Sequence, residues 1–269
     1  MKIARALVRY HGGKYKLATW IVGNMPSHRV YVEPFGGGAS VLLRKPRAYA
    51  EVYNDKCGDM VNMMTVVRDH GAELQRRIEL TPFARMEYEA CKEPSSDPIE
   101  RARRLIGRSF MGFGSGSIRD LKSGFRDDTS RDGSTPAHDW ANYPKNFMAI
   151  VDRMRGVLIE CKDALEVMGT HDSPDTLHYV DPPYVHATRA KGKRTQYAYE
   201  MTDTEHVALI EYLRTLKGKV LLSGYDHPIY NEGLSDWRTV KKSTHADGGR
   251  PRVETLWLNP QAIQKGLFN

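Results

Sequence analysis

The strongest constraint on this chain is the alternation of short apolar runs with helical stretches. Runs at 29–33, 48–53, 157–161, 177–180 and 220–223 are rich in Val, Leu, Ile and Tyr and predict strands. A further run, 253–258, alternates and predicts a last strand. Residues 202–217 predict a helix: Thr202 and Glu205 form a capping box, Gly218 stops it, and Val207, Ile210, Leu213 and Leu216 make its apolar stripe. Strand–helix–strand order of this kind predicts an α/β fold, a largely parallel sheet with helices on both faces, mixed at its closing edge. The 269 residues suit one such domain carrying a smaller inserted lobe.

Residues 58–145 break the rhythm and read as that lobe: helices, then a polar loop over 115–144. Charge concentrates there. The chain has 40 Lys and Arg against 33 acids, and residues 101–131 alone hold eight basic residues against three Asp. Arg101, Arg103, Arg104 and Arg108 fall at helical spacing, and Arg104 and Arg108 share a face that can sit against phosphates. A glycine-rich loop with two aromatics, Phe110 to Ser117, comes next. Arg119, Lys122 and Arg126 then lie where a side chain can reach a base edge. A second cluster contains Arg189, Lys191, Lys193 and Arg194; a third contains Lys241, Lys242, Arg250 and Arg252. Each alone also reads as a solvated face, but three together, one interleaved with aromatics, point to nucleic acid.

Other classes drop out. No apolar run reaches about 18 residues, so no transmembrane helix is expected, and the N-terminal apolar stretch is too short for a signal peptide. Cys57, Cys91 and Cys161 are odd in number and form no CxxC, which argues against a disulfide framework and fits a reducing cytoplasm. The ten His show no HxxxH or HxE pattern, so no metal site is expected.

Three motifs carry chemistry. In Val32-Glu33-Pro34-Phe35-Gly36-Gly37-Gly38-Ala39-Ser40 a strand runs into three glycines and then small residues that can open a helix, where backbone N–H groups meet a ligand. Asp55 closes the next strand 19 residues after Gly36, the spacing of an acid that binds ribose hydroxyls; alone it also reads as a helix N-cap. Asp181-Pro182-Pro183-Tyr184 follows an apolar strand. Two prolines fix φ and remove two donors, leaving a stiff rim of acceptors that suits an exocyclic amine. Tyr184 adds a flat face for a base.

Here the chain resembles the D12 class of DNA N6-adenine methyltransferases, the Dam-like enzymes. Arg9-Tyr10-His11-Gly12-Gly13-Lys14 resembles the family's N-terminal cofactor motif, and Glu33-Pro34-Phe35-Gly36-Gly37-Gly38 its glycine motif. Tyr53-Asn54-Asp55 resembles the ribose motif, Asp181-Pro182-Pro183-Tyr184 the catalytic motif, and Arg252 to Asn259 the closing strand of phage and bacterial members. The resemblance implies a Rossmann-like methyltransferase domain of residues 1–57 and 146–269, with 58–145 as an inserted helical lobe that recognises double-stranded DNA. It implies methyl transfer from S-adenosyl-L-methionine to adenine N6 with base flipping, by Asp181, Pro182, Pro183 and Tyr184, and without a metal. Tyr10, Lys14, Glu33, Pro34, Phe35, Gly36, Gly38, Asp55 and Asp181 become cofactor residues; Lys14 suits the methionine carboxylate. From the residues alone, Tyr10 to Lys14 also reads as an ordinary turn before a helix over 15–22. Asp163 has two readings, a contact to the cofactor's adenine and a helix cap. Phe110 to Ser117 does not match the recognition segment of GATC-specific members, so the target sequence stays open. Rival readings are another amino methyltransferase and a DNA-binding protein with a vestigial cofactor fold.

Overall fold

The computed structural model describes residues 3, 5–114, 117–118, 122–130, 133–188, 199–245 and 251–263; of His245 and Pro251 it describes the backbone alone. In chain order the main elements are α1 (Ala18–Gly23), β1 (Val30–Glu33), β2 (Ala50–Asn54), α2 (Gly58–Asp69), α3 (Gly71–Glu79), α4 (Arg85–Ala90) and α5 (Pro98–Met111). They continue with α6 (Pro136–Ala141), α7 (Phe147–Met154), β3 (Val157–Glu160), α8 (Ala164–Thr170), β4 (Thr176–Val180) and α9 (Asp203–Leu213). The last are β5 (Lys219–Tyr225), α10 (Pro228–Gly233), β6 (Arg238–His245) and β7 (Pro251–Leu258).

The strands form one sheet in the order β3-β2-β1-β4-β5-β7-β6. β1 pairs in parallel with β2 and β4, and β4 with β5. β7 runs antiparallel to both β5 and β6. This is the Rossmann-like arrangement expected, a mostly parallel sheet with an antiparallel closing strand. The chain builds outward from β1 through β2 to β3, then returns to the other side of β1 with β4. The order therefore reverses between β1 and β4, and in open α/β sheets ligands bind beyond the strand C-termini at such a switch point.

Local readings are corrected in three places. The helix expected over 202–217 keeps its capping box but ends at Leu213. The Tyr212 carbonyl takes both the Thr215 amide (2.9 Å) and hydroxyl (2.7 Å), and Asp172 draws the next turn away by accepting the Lys217 and Gly218 amides at 2.8 and 2.9 Å. Its inner face is His206, Leu209, Ile210 and Leu213, whereas Val207 is 44% exposed. His206 belongs inside because its Nδ1 pairs with the Tyr230 hydroxyl at 2.7 Å. β6 was not anticipated: only Val240 in it is a large aliphatic residue, as suits an edge strand whose Lys and Arg discourage further pairing. β7 does not alternate in burial but is buried from Glu254 to Leu258: Trp257 joins the α9 core on one face, and Glu254 takes the Tyr184 hydroxyl on the other.

Two compact units emerge. One contains Met1–Thr19, Gly37–Lys45 and Cys57–Ile159; the other contains Trp20–Gly36, Pro46–Lys56 and Glu160–Asn269. Segment 58–145 thus groups with residues 1–19, 37–45 and 146–159, beyond the division drawn from sequence. Within the first unit, the Tyr143 hydroxyl donates to the Leu7 carbonyl (2.7 Å) and the Arg9 amide to Ser109 Oγ (2.6 Å), stitching the N-terminal segment to the helices. In its core α2 lies against α5, and Met60, Met63 and Met64 of the one and Leu105 and Ile106 of the other are buried. The second unit has its own core: Val180, Val220, Leu222 and Trp257 from the sheet, covered by Leu209, Ile210 and Leu213 of α9 and by Tyr230. Among the described residues, no helix is long and apolar enough to cross a membrane.

Candidate active site

In the second unit β4 is buried along its whole length and delivers Asp181 at its C-terminal end. Asp181 is half-buried, Pro182 buried, Pro183 half-buried and Tyr184 buried. The carboxylate is held. Ser223 Oγ, on the neighbouring strand β5, donates to Asp181 Oδ1 at 2.8 Å, and the Tyr179 hydroxyl lies 3.1 Å from the same Ser223 oxygen. Tyr179 and Ser223 are both almost fully buried. Burial, reinforced by the Asp181 charge, pushes the Tyr179 phenol well above its ordinary range, so it stays protonated and able to donate. Tyr184 is 7% exposed, its hydroxyl donates to Glu254 of β7, and its ring meets the edge of Tyr225 at 4.6 Å. The ring therefore presents little open face in this conformation.

The tips of the adjoining strands carry the other candidate residues of this unit. Glu33 ends β1 buried and accepts from the Tyr31 hydroxyl at 2.7 Å; burial, then the Glu33 charge, raises the Tyr31 phenol. The Pro34 carbonyl accepts from Asn54 Nδ2 at 2.9 Å, and Phe35 packs on the α9 core. Gly36 is required by internal packing, since a Cβ there would stand 2.1 Å from the Tyr53 ring. Asn54, at the end of β2, is the fastener: Nδ2 donates also to the Lys162 carbonyl (3.1 Å) and Oδ1 accepts the Lys162 amide (2.9 Å). It ties the loops after β1 and β3 beside Asp55. Asp55 is half-buried, and the N-cap of α2 is Cys57, so the capping alternative for Asp55 falls away. Asp163 does cap α8, accepting the Leu165 amide at 2.9 Å, and lies 3.8 Å from Lys56.

In the first unit, the glycine run does not open a helix. Gly37 and Ala39 take positive φ (46° and 51°), which breaks helical geometry, and tight turns follow. The Tyr10 ring packs directly on Gly37, where a Cβ would be 3.0 Å from it; Gly38 is buried beside Tyr10 and Val8. Lys14 is buried, and its Nζ donates to the Gly12 carbonyl at 2.9 Å.

Residues 10–109 and 124–245 match the D12 class N6 adenine-specific DNA methyltransferase family. The chain belongs to that family. It is similar to the DNA adenine methylase of Salmonella typhi, 25% identical over 273 residues with 95% of each chain covered. It is also similar to the DNA adenine methylase of Escherichia coli K12, 23% identical over 272 residues with the same coverage.

As an adenine-specific DNA methyltransferase the chain has DNA as substrate, and the basic residues of the first unit fall into distinct groups. Arg103 is buried and internal: it pairs with Glu87 and Glu100 at 2.6 Å each. Arg104 pairs with Glu100 at 2.7 Å and donates to the carbonyls of Glu93 and Pro94, so much of its fork is engaged within the fold. Arg108, one turn on, makes no ion pair among the described residues; its Nε is buried without a partner, and burial depresses its pKa. Phe110 is not in a loop but closes α5, packed on Tyr143 at 4.5 Å; Phe113 beyond it is 74% exposed. Lys122 is exposed and Arg126 half-buried, with the Arg126 amide bound to the Met111 carbonyl at 2.7 Å. Arg119, Arg189 and Lys191 lie outside the described residues.

Sequence reasoning missed the supports of the Asp181–Tyr184 segment: Ser223, Tyr179, Tyr225 and Glu254. A signal existed for two. Ser223 is a hydroxyl ending an apolar run, and Glu254 is an acid set among Val253, Leu256, Trp257 and Leu258.

Proposed function

We propose that the chain transfers the methyl group of S-adenosyl-L-methionine to N6 of an adenine flipped out of duplex DNA. What carries the reading is Asp181, a carboxylate fixed by Ser223 at the C-terminal end of β4, beside the β1/β4 switch point. The cofactor fits the donor set of the second unit. Half-buried Asp55 and exposed Asp163 stand at neighbouring strand ends, acceptors suited to ribose hydroxyls and an adenine amine, and Asn54 holds their loops together. The family resemblance adds Tyr10, Lys14, Gly38 and the segment Glu33 to Gly36. When bound, S-adenosyl-L-methionine supplies a methyl group activated by its positively charged sulfur.

The residues of the chain orient the acceptor. Asp181 and the Pro182 carbonyl accept hydrogen bonds from the adenine amino group, drawing its lone pair out of ring conjugation. Pro182 and Pro183 keep that rim rigid, so little reorganisation is needed as charge develops on nitrogen. N6 of a stacked adenine is out of reach of such a rim, which is why the base is read as flipped. Tyr184 borders the ring, and stacking on it requires displacement of what covers it. Arg108, a half-buried cation lacking an ion pair among the described residues, is the strongest phosphate contact of the set, with Arg104, Lys122 and Arg126 beside it in sequence. Arg119, Arg189 and Lys191 are assigned to DNA from sequence alone.

The test is methyl transfer from labelled S-adenosyl-L-methionine to plasmid DNA, with the product nucleoside identified. The wild type is expected to give N6-methyladenine, and Asp181→Ala to lose at least about 100-fold in turnover while still binding DNA. A variant that methylates at near-normal rate overturns the assignment.

A further inference from the structure

The last strand reaches back to the catalytic segment at two points. Arg252 and Glu254 are two residues apart on β7 and so project from the same face, while Val253 between them is 43% exposed. Glu254 is 2% exposed and accepts the Tyr184 hydroxyl. Arg252 Nη1 donates to the Thr188 carbonyl at 2.8 Å. Tyr225 fills the space between: it pairs with Glu254 in the β5–β7 register, meets the Tyr184 ring edge-on at 4.6 Å, and lies under the Arg252 guanidinium at 5.3 Å. Both ends of the segment from Tyr184 to Thr188 are thereby fastened to one strand. Asp181 sits three residues before the first fastening, and Pro182 and Pro183 between them transmit the restraint because their φ is fixed.

We propose that Glu254 is a positioning residue for methyl transfer, which through the Tyr184 hydroxyl holds the Asp181–Tyr184 rim in register with the acceptor amine. This rests on the reading of that rim as the amine acceptor. A buried carboxylate accepting from a buried hydroxyl is a charge-assisted bond, short and directional. Burial, then the Glu254 charge, keeps the Tyr184 phenol protonated far above neutral pH, so the donor is always present. A residue whose only task was to fill space in β7 would not need a carboxylate at 2% exposure.

The experiment measures kcat and the S-adenosyl-L-methionine KM on plasmid DNA for Glu254→Ala, Glu254→Gln, Tyr184→Phe and the Tyr184→Phe/Glu254→Ala pair, with Asp181→Ala alongside. The expected result has Glu254→Ala losing at least tenfold in kcat with KM within twofold. Glu254→Gln, which keeps an acceptor oxygen, recovers to within about threefold of the wild type, and the pair is no slower than the slower single variant. Loss of activity in Asp181→Ala, with Glu254→Ala within twofold of wild type or with multiplying losses in the pair, overturns the positioning role alone. A fully active Asp181→Ala overturns the reading beneath it. If Glu254→Ala does not fold, Tyr184→Phe decides: a loss in kcat of at least fivefold at unchanged KM supports the proposal, and none refutes it.

Discussion

Removing the Ser223 hydroxyl isolates the support of Asp181 from Asp181 itself. Ser223 Oγ lies 2.8 Å from Asp181 Oδ1 and 3.1 Å from the Tyr179 hydroxyl, with no exposure to water. Ser223→Ala deletes a hydrogen bond to a charged group, worth about 1.5–3 kcal/mol. It also leaves the buried Tyr179 hydroxyl without that partner, a penalty of about 1–3 kcal/mol to the fold. Each 1.4 kcal/mol expressed in the transition state is about tenfold in rate, so kcat should fall roughly 10- to 100-fold. Cofactor affinity should change less than the rate, because Asp55 follows β2, separated from β5 by β1 and β4. Ser223→Thr, which keeps the hydroxyl, should recover most of the rate. The assay pairs single-turnover methyl transfer with calorimetric S-adenosyl-L-methionine binding. A kcat within twofold of wild type, or a fall in affinity as large as the fall in rate, refutes the reasoning.

Three further outcomes are expected. Asp55→Ala should weaken S-adenosyl-L-methionine binding by roughly 1–3 kcal/mol in calorimetry, and unchanged affinity removes Asp55 from the site. Asn54→Asp turns two donated bonds, to the Pro34 and Lys162 carbonyls, into repulsive contacts at 1% exposure and should destabilise the fold by about 2–4 kcal/mol at pH 8. The new carboxyl's folded pKa must lie above its unfolded value of about 3.9, so the stability gap to wild type should narrow as pH falls from 8 to 5; a pH-independent gap in urea melts counts against this. Arg108→Ala should weaken DNA binding alike on all sequences and flatten the salt dependence by about one unit, whereas Arg126→Ala should alter which sequences are methylated; an unaltered salt slope for Arg108→Ala rejects its phosphate contact.

The sequence by itself determined the fold class and singled out the Asp181–Tyr184 tetrapeptide. Period-2 and buried apolar runs name strands because side chains alternate across a sheet, and capping chemistry is local, so Thr202 and Glu205 were legible as a box. Asp181 to Tyr184 was legible because two prolines after a buried strand have few other uses. Only the tertiary structure decided what surrounds them. Ser223 lies 42 residues from Asp181 and Glu254 lies 70 from Tyr184, and no local pattern reports a pairing set by strand order. β6 escaped notice because Val240 is its one large aliphatic residue, and the alternation read in β7 gave no sign that residues distant along the chain cover both of its faces. The helical arginines separated for the same reason. Spacing placed Arg104 and Arg108 on one face, but the position of Glu100 and of the Glu93 and Pro94 carbonyls engages the first and leaves the second without an ion pair among the described residues. Local sequence sets which conformations are cheap, whereas which charges are neutralised depends on contacts between residues distant along the chain.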